Sequence, residues 1–355
     1  MIKVTGPDSW ERSDRLSEAL SYDDVLLVPQ YSEIESRSEV NIAGNLSDSI
    51  SLDLPIIASP MDTVTHLEMM EAMSDSGGLA ILHRYNSVEE QTEVIQESVV
   101  KGVNYPAAAI GATGDYMFRA NSLVGAGAKI LCLDVAHGHH IIVKKALMAL
   151  KSLFNDDVHI MAGNIATLKG LNDLADWGAD SVRLGIGGGS ICSTRLVSGS
   201  GLPTFQSIVD CARTHHDVKI IADGSIKRAG DIVKALAAGA DFVMAGSLFA
   251  GTDESPGKTF TNQSGKKYKV YQGMASSEAQ YAWRGKSTTP EGISTTVPYK
   301  GSVISVLNDL AGGIRSGLSY TGARDLAELT AKAKFVKQTS AGQHESFTHI
   351  LARNK

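Results

Sequence analysis

One thiol in this sequence sits where packing does not account for it. Cys192 follows the run Gly185-Ile186-Gly187-Gly188-Gly189-Ser190-Ile191, a loop with no expected core position. Buried cysteines behave as small hydrophobes, which is the reading for Cys132 and Cys211, both expected in strands. A glycine-rich loop instead bares backbone N–H groups, and a positive surround favours the thiolate, the nucleophilic form. Thr194 and Arg195 share the loop, so a hydroxyl and a cation lie near the sulfur in sequence. An inert loop thiol is the plain alternative. A second set of residues suits a phosphate: backbone amides at Gly189-Ser190, Asp223-Gly224 and Gly246-Ser247 converge if neighbouring strand ends carry them. Asp223 could then accept hydrogen bonds from a ribose diol, which would make the ligand a nucleotide, whereas a structural Asp-Gly turn is the competing reading. Further polar groups at 59–62, 83–84, 134–138 and 163–164 are each readable alone as helix caps or turns.

These residues share a position, just after short apolar runs. Eight such runs, at 55–58, 79–82, 107–110, 130–133, 158–162, 181–185, 219–222 and 242–245, alternate with segments of helical period. Each interval has room for one strand, one helix and two short loops, which predicts a closed (β/α)8 TIM barrel rather than an open doubly wound sheet. The widest interval follows the sixth run and holds the cysteine loop. An internal repeat agrees: VHIMAGNI, a helix and WGADSVRLG are echoed by VKIIADGS, a helix and AGADFVMAG. Gly127, Gly178 and Gly239 are placed to end helices in the left-handed conformation. Residues 251–300, rich in Gly, Ser, Thr and Lys, predict a mobile flap over the barrel mouth with a hairpin around Gly265. Helices from about 301 to 333 would close a single catalytic domain spanning 1–355, and the tail from Ser340 reads as loop.

Composition narrows the function. With 33 basic and 39 acidic side chains the net charge is −6, too acidic for general nucleic-acid affinity. No stretch approaches the roughly 20 apolar residues of a membrane span, and the polar N-terminus shows no leader, so a cytoplasmic protein is expected. Three cysteines without a C-x-x-C pair suggest neither a disulfide framework nor zinc.

Seven motifs then carry a resemblance: ASPMDTVT at 58–65, LDVAHGH at 133–139, GIGGGSICSTR at 185–195, ADGSI at 222–226, GSLFAGTDESPG at 246–257, YQGMAS at 271–276 and PEGISTTVPYKG at 290–301. Together, over nearly the whole chain, they resemble the inosine monophosphate dehydrogenase and guanosine monophosphate reductase family, without its regulatory cystathionine-synthase-like modules. The cysteine loop departs from the family's GPGS by having Gly188-Gly189-Ser190. The resemblance implies that Cys192 adds to C2 of a purine nucleoside monophosphate, with Thr194 and Glu291 relaying protons. It implies that Ser59, Ser190, Asp223, Gly224, Gly246, Ser247 and Tyr271 hold the nucleotide, and that Gly273, Met274 and Glu291 face the base. Asp134, Ala136 and Asn164 would border the nicotinamide pocket. It also implies a homotetramer and a K+ ion on the backbone carbonyls of Gly187, Gly189 and Cys192, with the tail at His344, Glu345 and Ser346 as a further carbonyl source.

Two activities fit that family. Both pass through a cysteine adduct, but the dehydrogenase must hydrolyse it and needs a flap bearing a water-activating Arg-Tyr pair. Here 275–290 is short and lacks that dipeptide; Arg284, its only arginine, is readable as simply solvated. The segment SRSEV and the chain length look like the reductase, while VPQYS, MDTVT, LVSGSGLP and AKFVKQTSAGQHESFTH look like the dehydrogenase. The expectation is an NADPH-dependent GMP reductase giving IMP and ammonia, with NAD-dependent IMP dehydrogenase as the alternative. A flavin-dependent barrel oxidase would not need Cys192, and a binding-only barrel would lose the nucleophile or its relay, yet both are present.

Overall fold

A computed structural model describes residues 17–348. Its centre is a closed barrel of eight parallel strands: β1 Ile56–Ala58, β2 Leu79–Leu82, β3 Ala107–Ile110, β4 Ile130–Asp134, β5 His159–Ile165, β6 Ser181–Leu184, β7 Lys219–Asp223 and β8 Phe242–Ala245. Sequence neighbours pair, and β8 closes on β1 with Val243 opposite Ile56. Every residue of β1, β2 and β3 is buried, as continuous apolar runs covered on both faces must be. Side chains alternate between two layers: Ile57, Ile81, Ala109, Cys132, Met161, Ile221 and Met244 fill the barrel, while their neighbours pack outward against the helices.

The helices are α1 Leu67–Asp75, α2 Val88–Val100, α3 Tyr116–Gly125, α4 Ile141–Phe154, α5 Leu168–Asp176, the short α6 Thr194–Ser198, α7 Thr204–Cys211 and α8 Ala229–Ala237. Local chemistry starts them where it should. Ser87 and Glu90 form a capping box on α2, and the Thr167 hydroxyl accepts the Gly170 N–H at the start of α5. Gly127, Gly178 and Gly239 take φ of 110°, 101° and 110°, the turn geometry their spacing predicts. None of the described helices is long and apolar enough to cross a membrane.

Beyond β8 the flap is an ordered antiparallel sheet of β9 Thr259–Thr261, β10 Lys267–Gln272 and β11 Ser294–Pro298, interrupted by helix α9 Ser277–Arg284. Gly265, at φ 78°, turns the expected hairpin. Helices α10 Val303–Thr321 and α11 Leu326–Lys332 follow as predicted.

Three features differ from the sequence reading. Cys211 ends helix α7 rather than lying in a strand, though it is buried all the same; burial pushes its thiol up to about 12 and that of Cys132 up to about 11. The tail is helical over α12, Ser340–Glu345, because the Thr339 hydroxyl accepts the Gly342 N–H and caps it. A hairpin of Gly44–Ser47 and Ile50–Leu52 plugs the amino end of the barrel, inserting Leu46, Ile50 and Leu52 into the interior layer.

Two histidines make this fold pH-sensitive. His83 and His159 are buried, and burial holds each imidazole down at about 4. The unfolded chain therefore binds protons that the fold refuses between about pH 4 and 6.5, so this contribution is full above that window and lost as pH falls through it, up to about 3 kcal/mol per histidine. Thermal melting should drop between about pH 6.5 and 4.5; a midpoint flat across that range would contradict the assignment.

Candidate active site

The carboxyl ends of β6, β7, β8 and β1 meet around a cavity of about 290 Å³. Gly189, Ser190, Asp223, Gly224, Gly246 and Ser247 all line it, with Ser59, Met61 and Tyr271 completing the wall. The glycines allow backbone to approach backbone: a Cβ on Gly224 would lie 3.1 Å from the Gly188 carbonyl carbon, and one on Gly246 would lie 2.8 Å from the Met61 sulfur. Tyr271 is buried, which raises its phenol, and its hydroxyl lies 3.4 Å from Ser190 Oγ. Sequence reasoning missed part of this wall. Tyr22, Asp23 and Lys227 also line the cavity, and Lys227 Nζ lies 3.0 Å from Asp23 Oδ2. The signal was available in SYDD at 21–24, whose paired acids sit directly after a tyrosine.

The exposed Cys192 thiol donates to Thr194 Oγ1 at 3.2 Å, and that hydroxyl donates to Glu291 Oε2 at 2.8 Å. Glu291 belongs to the flap, and main-chain bonds bring it there. Ser193 N–H donates to the Glu291 carbonyl at 2.8 Å, Ile293 N–H to the Ile191 carbonyl at 3.0 Å, and Gly273 N–H to the Ile293 carbonyl at 3.0 Å. Thiol, hydroxyl and carboxylate thus form one line along which a proton can move. Met274 joins from the same flap edge, its sulfur accepting the Asp62 N–H at 3.3 Å. Arg195 turns away to brace the loop: its Nε donates to the Ile186 carbonyl at 3.3 Å. The Gly189 carbonyl accepts the Cys192 N–H at 3.1 Å, closing a turn under the thiol. Among the described residues no cluster of three or more His, Cys, Asp or Glu side chains could hold a metal.

Beside the cavity lies a group that sequence reading passed over. Arg183, in β6 and 5% exposed, donates through Nη1 to Asp134 Oδ1 at 2.7 Å and through Nη2 to Asp223 Oδ2 at 2.9 Å. Arg84 Nε stands 3.6 Å from Asp134 Oδ2. Burial alone would push the Asp134 carboxyl up, but Arg183 and Arg84 outweigh it and hold it below its ordinary range. Asn164 donates through Nδ2 to Asp223 Oδ2 at 2.8 Å and to the Gly185 carbonyl at 2.9 Å, while its buried Oδ1 has no partner among the described residues. Ala136 sits exposed in the loop between Asp134 and α4. The arginine inside the apolar run SVRLG was the available signal, since a charge buried in a barrel strand needs a partner.

Known proteins share this arrangement of sequence and fold. A family profile described as IMP dehydrogenase / GMP reductase domain matches residues 19–349. The chain belongs to that family. It is accordingly a purine-nucleotide oxidoreductase. It is 32% identical to inosine-5'-monophosphate dehydrogenase of Nitrosopumilus maritimus, over 94% of this chain and 98% of that protein. It is also 32% identical to GMP reductase of Leishmania major, over 95% and 98%. Among solved structures, a cysteine-to-alanine variant of GMP reductase from Trypanosoma brucei, in complex with guanosine 5'-monophosphate, superposes with a TM-score of 0.89 at 31% identity, covering 96% of this chain and 99% of that one. The alignments to the first two relatives extend over 469 and 483 positions, more than the 355 residues here. Here α2 passes to β3 through 101–106 alone, with no regulatory module between them. Relatives of both names align over such lengths, so chain length does not separate the two activities, contrary to its weight in the sequence reading.

Replacing Arg183 by methionine should leave two carboxylates facing each other with their shared cation gone. The expected loss is about 3 kcal/mol or more of stability at neutral pH, read by urea denaturation; an unchanged midpoint would show that the pairing contributes nothing.

Proposed function

We propose that this family member is an NADPH-dependent GMP reductase. The observation that carries the chemistry is the line Cys192, Thr194, Glu291 at the edge of the nucleotide cavity. The backbone at Ser190, Gly224, Gly246 and Ser247, with Ser59 and Tyr271, anchors the phosphate. Asp223 has one oxygen fixed by Arg183 and Asn164, which leaves the other for the ribose diol. Gly273 and Met274 edge the base. The Cys192 thiol passes its proton through Thr194 toward Glu291 as its sulfur bonds to C2 of the purine, the bond from C2 to the exocyclic amine breaks, and the Thr194–Glu291 pair returns that proton so that the amine departs as ammonia. A reduced nicotinamide, when bound, would supply a hydride to C2, and Cys192 would leave as C2 becomes that of IMP. Asn164 suits that cofactor, because its unpartnered buried Oδ1 can accept a carboxamide N–H, and Asp134 and Ala136 border the same space. The reading extends to a cytoplasmic homotetramer. A K+ ion would take the carbonyls of Gly187, Gly189 and Cys192, that of Gly189 already receiving the Cys192 N–H.

The flap supports the reductive direction. Its segment 275–290 is used up by α9 and a return turn, and Arg284 is exposed, with no hydrogen bond or ion pair among the described residues. IMP dehydrogenase, which forms the same adduct but gives hydride to NAD and then needs an activated water, is the second reading, since identity to relatives of the two names is equal and does not separate them.

Two measurements test this. Cys192→Ser should lower turnover at least about a thousandfold while nucleotide affinity stays within a few fold, since the hydroxyl cannot replace the thiolate; substantial residual turnover sinks the covalent role. Parallel absorbance assays should show GMP consuming NADPH to give IMP, with little NADH formed from IMP and NAD; the reverse ranking establishes the dehydrogenase.

A further inference from the structure

Helix α9 carries a side chain, packed on the barrel, that the chemistry above does not use. Trp283 lies parallel to Tyr85, which follows β2, with ring centroids 5.4 Å apart and planes inclined by 8°. The Arg84 guanidinium lies 5.4 Å from the Tyr85 ring centre, and that of Arg119 lies 5.8 Å from the Trp283 ring centre. Arg119 is held in place. It is 3% exposed and donates to Asp115 Oδ2 at 2.9 Å, Gln91 Oε1 at 2.8 Å and the Asn86 carbonyl at 3.1 Å. The receptor for Trp283 is therefore fixed from the barrel side by groups with partners of their own.

From Trp283 the connection runs on to Glu291. The buried residues of α9 are Ala279 and Gln280. Gln280 Oε1 accepts the Thr288 N–H at 2.9 Å and the Thr288 hydroxyl at 3.0 Å, folding the return segment back along the helix. Its Nε2 donates to the Ala275 carbonyl at 3.0 Å, and the same carbonyl accepts the Glu291 N–H at 3.1 Å. A helix that swings away takes this clasp with it, and the carboxylate loses its fixed place at Thr194.

We propose that the stack of Trp283 on Tyr85 latches the flap to the barrel, which makes Trp283 a positioning residue that holds Glu291 against the Thr194 hydroxyl. The proposal rests on the relay assigned above. A parallel ring pair and a cation over a ring are each modest interactions, and together they would shift a closed-to-open equilibrium by about tenfold.

Hydrogen exchange on the full, nucleotide-free chain tests the latch without relying on the reaction. Trp283→Ala should speed exchange about tenfold at the amides of Ser193 and Ile293, which stitch flap to cysteine loop, while barrel-strand amides stay protected. Tyr85→Ala should do the same, the double variant should add little, and Trp283→Phe should restore most of the protection. In activity, Trp283→Ala should lower kcat with little change in KM for the nucleotide. Unchanged exchange at those two amides in Trp283→Ala, or a Trp283→Phe variant as loose as Trp283→Ala, overturns the latch. A wild-type chain that turns over neither GMP nor IMP counts against the proposed function, whereas the exchange pattern alone decides the latch.

Discussion

The hydrogen bond from Thr194 to Glu291 joins two segments that no barrel strand holds. The cysteine loop leaves β6 and the flap leaves β8, and the bonds of Ser193 and Ile293 tie the one to the other. Main-chain pairing of this kind is indifferent to side chains, so it fixes the spacing of the two loops and leaves thiol, hydroxyl and carboxylate free to serve chemistry. Gly292 lets the two ends of the flap's α9 segment approach each other: a Cβ there would lie 3.2 Å from the Ser276 nitrogen. Reactive groups carried on loops above a rigid barrel follow the usual division of labour between scaffold and site.

A second constraint is electrostatic and lies inside the barrel wall. Arg183 and Arg84 face Asp134 and Asp223, two cations against two anions, with Asn164 adding a neutral donor. Arg183 touches both carboxylates, one lining the cavity and the other toward the loop leading into α4. The two halves of the mouth are thereby joined by one planar guanidinium whose geometry suits two partners at once. Three buried groups of this network, Arg84 Nε, Arg183 Nε and Asn164 Oδ1, have no hydrogen-bond partner among the described residues, and Asn164 Oδ1 is the acceptor at which a ligand donor gains most.

Most of the barrel was legible because strands covered on both faces read as unbroken apolar runs. The errors fall where that signal ends. Strands β4 and β5 run past their predicted limits to Asp134 and Ile165, since backbone pairing continues through polar residues, with Asp134 opposite Gly163. The glycines that line the cavity and Asp223 were legible from position alone, as residues at or just after strand ends, and Cys192 from its glycine-rich loop. Glu291 was not: it lies 97 residues from Thr194, and its place came from motif resemblance. Arg183 hid within a run scored as apolar. The plug of Leu46, Ile50 and Leu52 was missed because two very short strands resemble any irregular segment until the barrel they close is known.

The direction of the reaction depends on what reaches the nucleotide once sulfur is bonded to it, and here the flap's economy matters more than overall likeness. A hydrolytic route requires a side chain that can deprotonate water above the adduct. The residues between Ala275 and Pro290 are committed instead to building α9, to the clasp of Gln280 on Thr288 and to seating Trp283 on the barrel. Arg284 ends that helix facing solvent, its side chain making no hydrogen bond or ion pair among the described residues. A hydride route asks only that a reduced ring lie against C2 and that a proton reach the departing amine, and the Thr194–Glu291 pair already stands at the sulfur to provide it.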